Sequence, residues 1–439
     1  MTMSQRTALD RLPGAPVPDV RTRSASMAPS RPSLVSRMSL VWSRSRTSLP
    51  PGGPGFIRRN FRLLALAFVV LGLVIAPPIA AHARATAFLL RLGGDAPACA
   101  SLVENGVVTE RIDLPADLST KADGLSVVHA RLYRPVSAPL IGRPRGVVLA
   151  HGVHYLGIDE PRLMALARSF AQAGLVVLTP ELAPLADYRV DDPGNLETLR
   201  VSVRWLARRD DLVDSHGVGL VGVSFAGGLS LRVASEDAVA SDLAFVVSIG
   251  GHHDMRRIAR FFASDTAETP TGTIPWRAHD YGMAVLVFDE PERFVSPEDA
   301  PQLRVAVRAY LHESYALAEQ EALKLSPEGR AIFERVAHRD TQALAPKLLA
   351  AMPDLSAKMA DASPVGRMAA IHVPVFLLHG AHDNVVPPSE AQWAALEAKD
   401  NPNVHLLVTA KIGHAELGDD AGPWATVELV HFMSTMLDD

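Results

Sequence analysis

Short uninterrupted apolar runs alternate along this chain with longer stretches whose apolar positions recur every three or four residues. Residues 146–150, 175–179, 218–223, 244–249 and 373–378 are rich in Val, Leu, Ile and Phe and carry almost no polar residue. A strand covered on both faces reads this way, because neither face meets water. Residues 125–135 alternate instead and end at Pro135, as an antiparallel strand does, and 404–408 is a further short strand. Between these runs, 161–174 sets Leu163, Ala165, Leu166, Phe170 and Ala171 at helical spacing before Gly174. Residues 195–209 do the same with Leu196, Leu199, Val203 and Leu206. Alternating strands and helices predict an α/β fold, a doubly wound, mainly parallel sheet with helices on both faces.

The alternation pauses between residues 255 and 365. Helical patterns fill 303–325, 327–337 and 341–352, and the apolar run 283–288 reads as strand or helix. A structureless loop of this length is improbable inside a compact domain. The segment is therefore expected to be a large helical insertion dividing the core into 123–254 and 366–439. Its aromatic residues Phe261, Phe262, Trp276 and Tyr281 serve either its own core or a pocket wall.

Ser224 stands where the run 218–223 breaks into small residues, in Gly222-Val223-Ser224-Phe225-Ala226-Gly227-Gly228. A strand that turns abruptly into a helix, with a hydroxyl at the apex, needs small neighbours two residues to either side. Gly222 and Ala226 supply them, giving G-x-S-x-A, a variant of the G-x-S-x-G nucleophile elbow. A serine hydroxyl is a weak nucleophile at neutral pH, so it needs a base and a group that orients the base. Both types occur downstream in that order. The run 373–378 ends in His379-Gly380-Ala381-His382-Asp383-Asn384-Val385-Val386-Pro387, which presents Asp383 in a loop, and Lys411-Ile412-Gly413-His414 follows strand 404–408. With these residues the chain resembles the α/β-hydrolase family of serine esterases, lipases and peptidases, over roughly residues 124–439.

The resemblance implies that Ser224, Asp383 and His414 form the catalytic triad. It also implies that the insertion 255–365 is a helical cap over the active site. The backbone N–H of Phe225 would be one oxyanion-hole donor. The second would be that of Val153, in Leu149-Ala150-His151-Gly152-Val153-His154 after an earlier strand. Some hydrolases of this fold carry the acid after the preceding strand, which leaves Asp254 as the alternative acid. Adjacent His252 and His253 point in opposite directions on an extended chain and do not form a ligand set. No other cluster has metal-ligand spacing, so neither metal nor cofactor is expected. His151, His379 and His382 read as loop residues, and Asp159 and Glu160 as acids opening a helix.

Composition modifies this picture mainly at the N-terminus. A net charge of −5 does not favour a polyanionic partner such as nucleic acid. Residues 1–62, however, hold eleven arginines, no lysine and only two acids, with much Ser and Pro. This composition predicts disorder. No charge interrupts residues 63–81, and Ala81-His82-Ala83 follows Pro77-Pro78. Segment 63–83 thus reads as a membrane anchor or as the apolar region of a cleaved export signal, preceded either by a long flank or by a start placed too far upstream. Both readings put the catalytic domain outside the cytoplasm, since the arginines hold the preceding flank inside. Residues 84–122 read as a connector with some helical and strand content, and the single cysteine of the chain, Cys99, excludes an intramolecular disulfide.

The expected activity is hydrolysis of a small carboxylic ester through an acyl-enzyme. A peptidase or thioesterase would use the same residues, and a non-catalytic binding protein of the same fold remains the alternative of a different class.

Overall fold

A computed structural model describes residues 78–93, 105–115, 127–137, 142–414 and 422–438. Its centre is an eight-stranded sheet in the order β1-β2-β4-β3-β5-β6-β9-β10. The strands are β1 Val107–Pro115, β2 Val127–Pro135, β3 Gly146–Ala150, β4 Val176–Pro180, β5 Val218–Val223, β6 Leu243–Ile249, β9 Val375–Gly380 and β10 Val404–Thr409. β2 runs antiparallel to β1 and β4, and every other pairing is parallel. From β3 the chain moves to β4 on one side and then crosses back to β5 on the other. The sheet reverses its winding there, and the crevice beyond the carboxyl ends of β3 and β5 is where ligands of such sheets bind.

The apolar runs are uninterrupted because both faces are covered. Val147, Leu149, Val177, Val221 and Phe376 point into one cluster, with α2 (Pro161–Gln172), α14 (Pro423–Asp438) and α1 (78–92). Val148, Leu178, Leu220, Val246 and Leu377 point into the other, with α4 (Pro193–Ala207) and α5 (Phe225–Ala234). Successive strand residues therefore serve opposite cores. Two short helices, α3 Ala183–Ala186 and α6 Asp237–Ala240, complete the layers.

Between β6 and β9 lie α7 Met255–Ser264, a hairpin of β7 Thr266–Thr269 and β8 Gly272–Pro275, α8 Asp280–Asp289, α9 Ala300–Leu311, α10 Tyr315–Ala322, α11 Pro327–Ala337 and α12 Thr341–Asp361. The core of this segment is continuous with that of α4 and α5, through Phe261, Phe262, Met283, Val287, Leu303 and Phe333. The ambiguous run 283–288 is helical. His279 caps it by accepting from Tyr281 N–H, and the run carries no period because Met283, Ala284, Leu286, Val287 and Phe288 are all buried. The pattern 303–325 is two helices, broken where Glu313 takes φ +58°. The hairpin has no counterpart among the sequence-based expectations. Its cue is the β-branched residues around Thr271-Gly272, with Gly272 at φ +137°.

Near the N-terminus the structure gives form to part of the connector and to the far end of the apolar segment. Within 84–122, the stretch expected to be a connector, β1 is the edge of the sheet and pairs with β2 from Val107↔Pro135 to Pro115↔Val127. Its charged Glu110, Arg111 and Asp113 conceal the strand pattern, as edge strands often do. Residues 78–83, the far end of the apolar segment 63–83, form the first turns of α1, a helix docked on the domain. Ala81, Ala85 and Phe88 are buried there, and Phe88 lies 4.8 Å from Phe170 between ring centres. Among the described residues no helix is long and apolar enough to cross a membrane. Residues 1–77 and Cys99 lie outside the described residues.

Candidate active site

The turn after β5 is as sharp as its residues imply. Ser224 sits at φ +57°, ψ −135°, a strained region for a residue with a Cβ. Its neighbours hold it there: Ser224 N–H donates to Ile249 O (2.7 Å), and Ser224 O accepts from Gly227 N–H (2.8 Å). A Cβ at Gly222 would lie 2.2 Å from Ala226 O, so glycine is required at that position. The loop after β3 passes over the nucleophile at Gly152, where an added Cβ would stand 3.0 Å from Ser224 Cβ and 3.4 Å from Val223 O. Val153 follows at once. Phe225 opens α5, where a backbone N–H has no intrahelical acceptor.

β9 and β10 bring the other two residues to the same edge. A Cβ at Gly380 would meet the carbonyl oxygens of Ile412 and Gly413 at 2.5 Å, so the loop after β10 crosses tightly over the end of β9. The result is a linear array. Ser224 Oγ lies 3.0 Å from His414 Nε2, and His414 Nδ1 lies 2.9 Å from Asp383 Oδ2. An Nδ1–H donated to the carboxylate leaves Nε2 with its lone pair facing the serine hydroxyl.

The acid is held from every side. Asp383 Oδ1 accepts from Val385 N–H and Val386 N–H, each at 2.9 Å. Oδ2 also lies 3.5 Å from His379 Nε2, whose N–H donates to Val386 O (2.8 Å). Trp276 Nε1–H donates to Asp383 O (3.0 Å) and His279 N–H to Asn384 O (2.7 Å). Burial alone would raise the Asp383 carboxyl. The hydrogen bonds and charges of His379 and His414 outweigh it and hold the group well below the usual carboxylate range.

The structure thus brings Ser224, His414 and Asp383 together, with Gly152, the residue before Val153, against the serine and Phe225 next to it at the start of α5. It gives the alternative acid another task. Asp254 caps α7 by accepting from Arg256 N–H (2.9 Å) and pairs with the Arg256 guanidinium (2.9 Å), while the acid bonded to His414 is Asp383. His252 Nε2–H donates to Ala362 O (2.9 Å), and His253 pairs with Glu397 (2.7 Å). His151 accepts from Leu182 N–H (3.0 Å), and Glu160 caps α2. Of the four aromatic residues of the insertion, Phe261 and Phe262 belong to the core, whereas Trp276 and Tyr281 are partly buried beside the acid. Burial and then the Asp383 charge push the Tyr281 phenol above its ordinary value.

Sequence reasoning gave His379 no part in holding the acid, and it offered Trp276 only as core or pocket wall, not as a partner of the acid loop. His379 had a cue in its place four residues before the acid. Trp276 had none, because its partner is 107 residues away. Among the described residues no three His, Cys, Asp or Glu side chains are grouped to hold a metal ion.

Comparison with known proteins gives the following. No curated protein matches the chain. Among solved structures, it is similar to a Pyrobaculum calidifontis esterase (16% identity, 81% of this chain, 91% of that one, TM-score 0.42). It is also similar to a Pyrococcus horikoshii acylaminoacyl peptidase (10% identity, 77% of this chain, TM-score 0.41), of whose length it spans 41%. A Pyrococcus furiosus esterase gives 14% identity over 70% of this chain and 83% of that one, with a TM-score of 0.38. The sequence model of the X-Pro dipeptidyl-peptidase (S15) family matches residues 188–415, just over half of the chain. That span runs from just after α3 through Ser224 and Asp383 to His414, and on this match the chain belongs to the X-Pro dipeptidyl-peptidase (S15) family of α/β-hydrolases.

Proposed function

We propose that this hydrolase cleaves carboxylic esters, with Ser224, His414 and Asp383 as a catalytic triad. The observation that carries the reading is the array of 3.0 and 2.9 Å contacts from Ser224 Oγ through His414 to a buried, ionised Asp383. Ser224 Oγ attacks the acyl carbon as His414 Nε2 takes its proton. The oxyanion is held by the N–H groups of Phe225 and Val153, at the N-terminal end of a buried helix. His414 returns the proton to the leaving oxygen, the C–O bond breaks, and an acyl-serine remains. Water deprotonated by His414 then releases the acid and restores Ser224. Asp383 stays ionised throughout, fixing the imidazole tautomer and stabilising the imidazolium.

Peptide hydrolysis is the second reading, favoured by the description of the matching family. There the proton from His414 goes to a leaving amine. A panel of p-nitrophenyl esters from acetyl to palmitoyl, a thioester and an Xaa-Pro anilide separates the two. Higher kcat/KM on the esters is the expected result, and a preference for the anilide overturns the ester assignment. The reading retains export of the domain, on the strength of the apolar run 63–76 behind Arg58, Arg59 and Arg62.

A further inference from the structure

The oxyanion loop meets the insertion through a stack of three rings. The Tyr155 ring lies 4.7 Å from that of His154, at an interplanar angle of 21°, and 4.7 Å from that of His312, at 24°. One phenol ring cannot stack two neighbours on one face, so the imidazoles cover opposite faces. His154 belongs to the loop that carries Val153, and His312 ends α9 of the insertion. Both ends of the stack are fixed. His154 Nδ1 accepts from Leu156 N–H (3.2 Å), and His154 O accepts from Gly157 N–H (2.9 Å). On the other side, Tyr188 O–H donates to Leu311 O (2.7 Å), and Arg308 pairs with Asp187 (3.0 Å). Burial holds both imidazoles below the ordinary histidine value, so the rings stack uncharged at neutral pH.

We infer that His312 is a positioning residue for the oxyanion loop. By stacking on Tyr155 it fastens the end of α9 to the loop that lays Gly152 against Ser224 and carries the proposed Val153 donor. The inference rests on the hydrolase reading above. It adds that the insertion supports the chemistry by bracing this loop, in addition to walling the site. A packed aromatic pair contributes on the scale of a threefold to tenfold effect.

The test is the second-order rate of phosphonylation by a fluorophosphonate, in folded protein verified by thermal melting. His312→Leu should slow the reaction roughly threefold to tenfold. His312→Phe, which restores a stackable ring, should react within about twofold of wild type. Tyr155→Leu cuts the same stack from the other side, so the double variant should be no slower than the slower single variant. A wild-type rate in His312→Leu, an equal loss in His312→Phe, or multiplying losses in the double variant each overturn the inference while leaving the hydrolase reading intact. A wild type that does not react at all removes the hydrolase reading, and the inference with it.

Discussion

The two walls flanking Ser224 are built by opposite means. The acid wall is polar and over-determined: both carboxylate oxygens of Asp383 and its backbone oxygen are fixed by donors from its own loop, from the insertion and from the loop after β10, and His379 of β9 lies 3.5 Å from Oδ2. The other wall, the loop after β3 that the reading assigns to the oxyanion hole, meets the insertion through the stacked rings of His154, Tyr155 and His312, and Tyr155 is 39% exposed. The difference teaches where each wall is vulnerable. A charge that must stay buried and ionised depends on its full set of donors, because a lost donor in a low-dielectric site is not replaced by water. A loop that supplies a backbone N–H needs only its position, and ring packing can set that with gradual losses.

The contrast can be broken first at the acid. Asp383→Asn should lower kcat/KM by about four orders of magnitude. Asp254→Asn should leave kcat/KM within a few fold and lower the melting temperature slightly, since asparagine still caps α7 but loses the ion pair with Arg256. The reverse ranking in steady-state assays of the two variants would move the acid to the preceding strand. Next comes the docked N-terminal helix, whose buried Phe88 packs on Phe170. Phe88→Ala should cost about 3–5 kcal/mol of unfolding free energy in urea titration, with ester kcat nearly unchanged. A change in kcat instead would link α1 to the site.

A smaller effect sharpens the acid wall itself. Trp276→Phe keeps the ring and removes the N–H that reaches Asp383 O. One neutral hydrogen bond is worth about 1 kcal/mol, so kcat should fall roughly fivefold with KM little altered. An unchanged kcat would show that the insertion merely rests on the acid loop. The smallest effect is a pH dependence of stability. Because the folded carboxyl of Asp383 is depressed, its stabilisation is fully present above the unfolded value, near 3.9, and is lost as pH falls through the folded value. The difference in melting temperature between wild type and Asp383→Asn should therefore hold constant above about pH 5 and shrink on acidification below that. A difference independent of pH down to about 2 would contradict the ionised, bonded carboxylate.

Much of this was legible in the sequence because it is written in short stretches. Strands covered on both faces leave plain apolar runs, and Ser224, Asp383 and His414 each follow such a run in chain order. What was missed depends on contacts distant in sequence. β1 is an edge strand whose charges mask its pairing. The hairpin between α7 and α8 is short and mostly exposed. The single helical pattern at 303–325 breaks at Glu313, whose left-handed backbone ends α9 with Ser314 N–H donating back to Ala309 O, at a residue type that does not signal such a stop. Trp276, Tyr155 and His312 gain their positions from partners more than a hundred residues away, and no local spacing encodes that.

The central claim is that position 224 carries an activated hydroxyl. Treating folded wild-type protein with a fluorophosphonate and mapping the adduct by peptide mass spectrometry tests it most directly. The account expects one phosphonyl group, on Ser224, formed at a rate that collapses in His414→Ala. A folded protein that takes up no label, or carries it on another serine, would contradict the account.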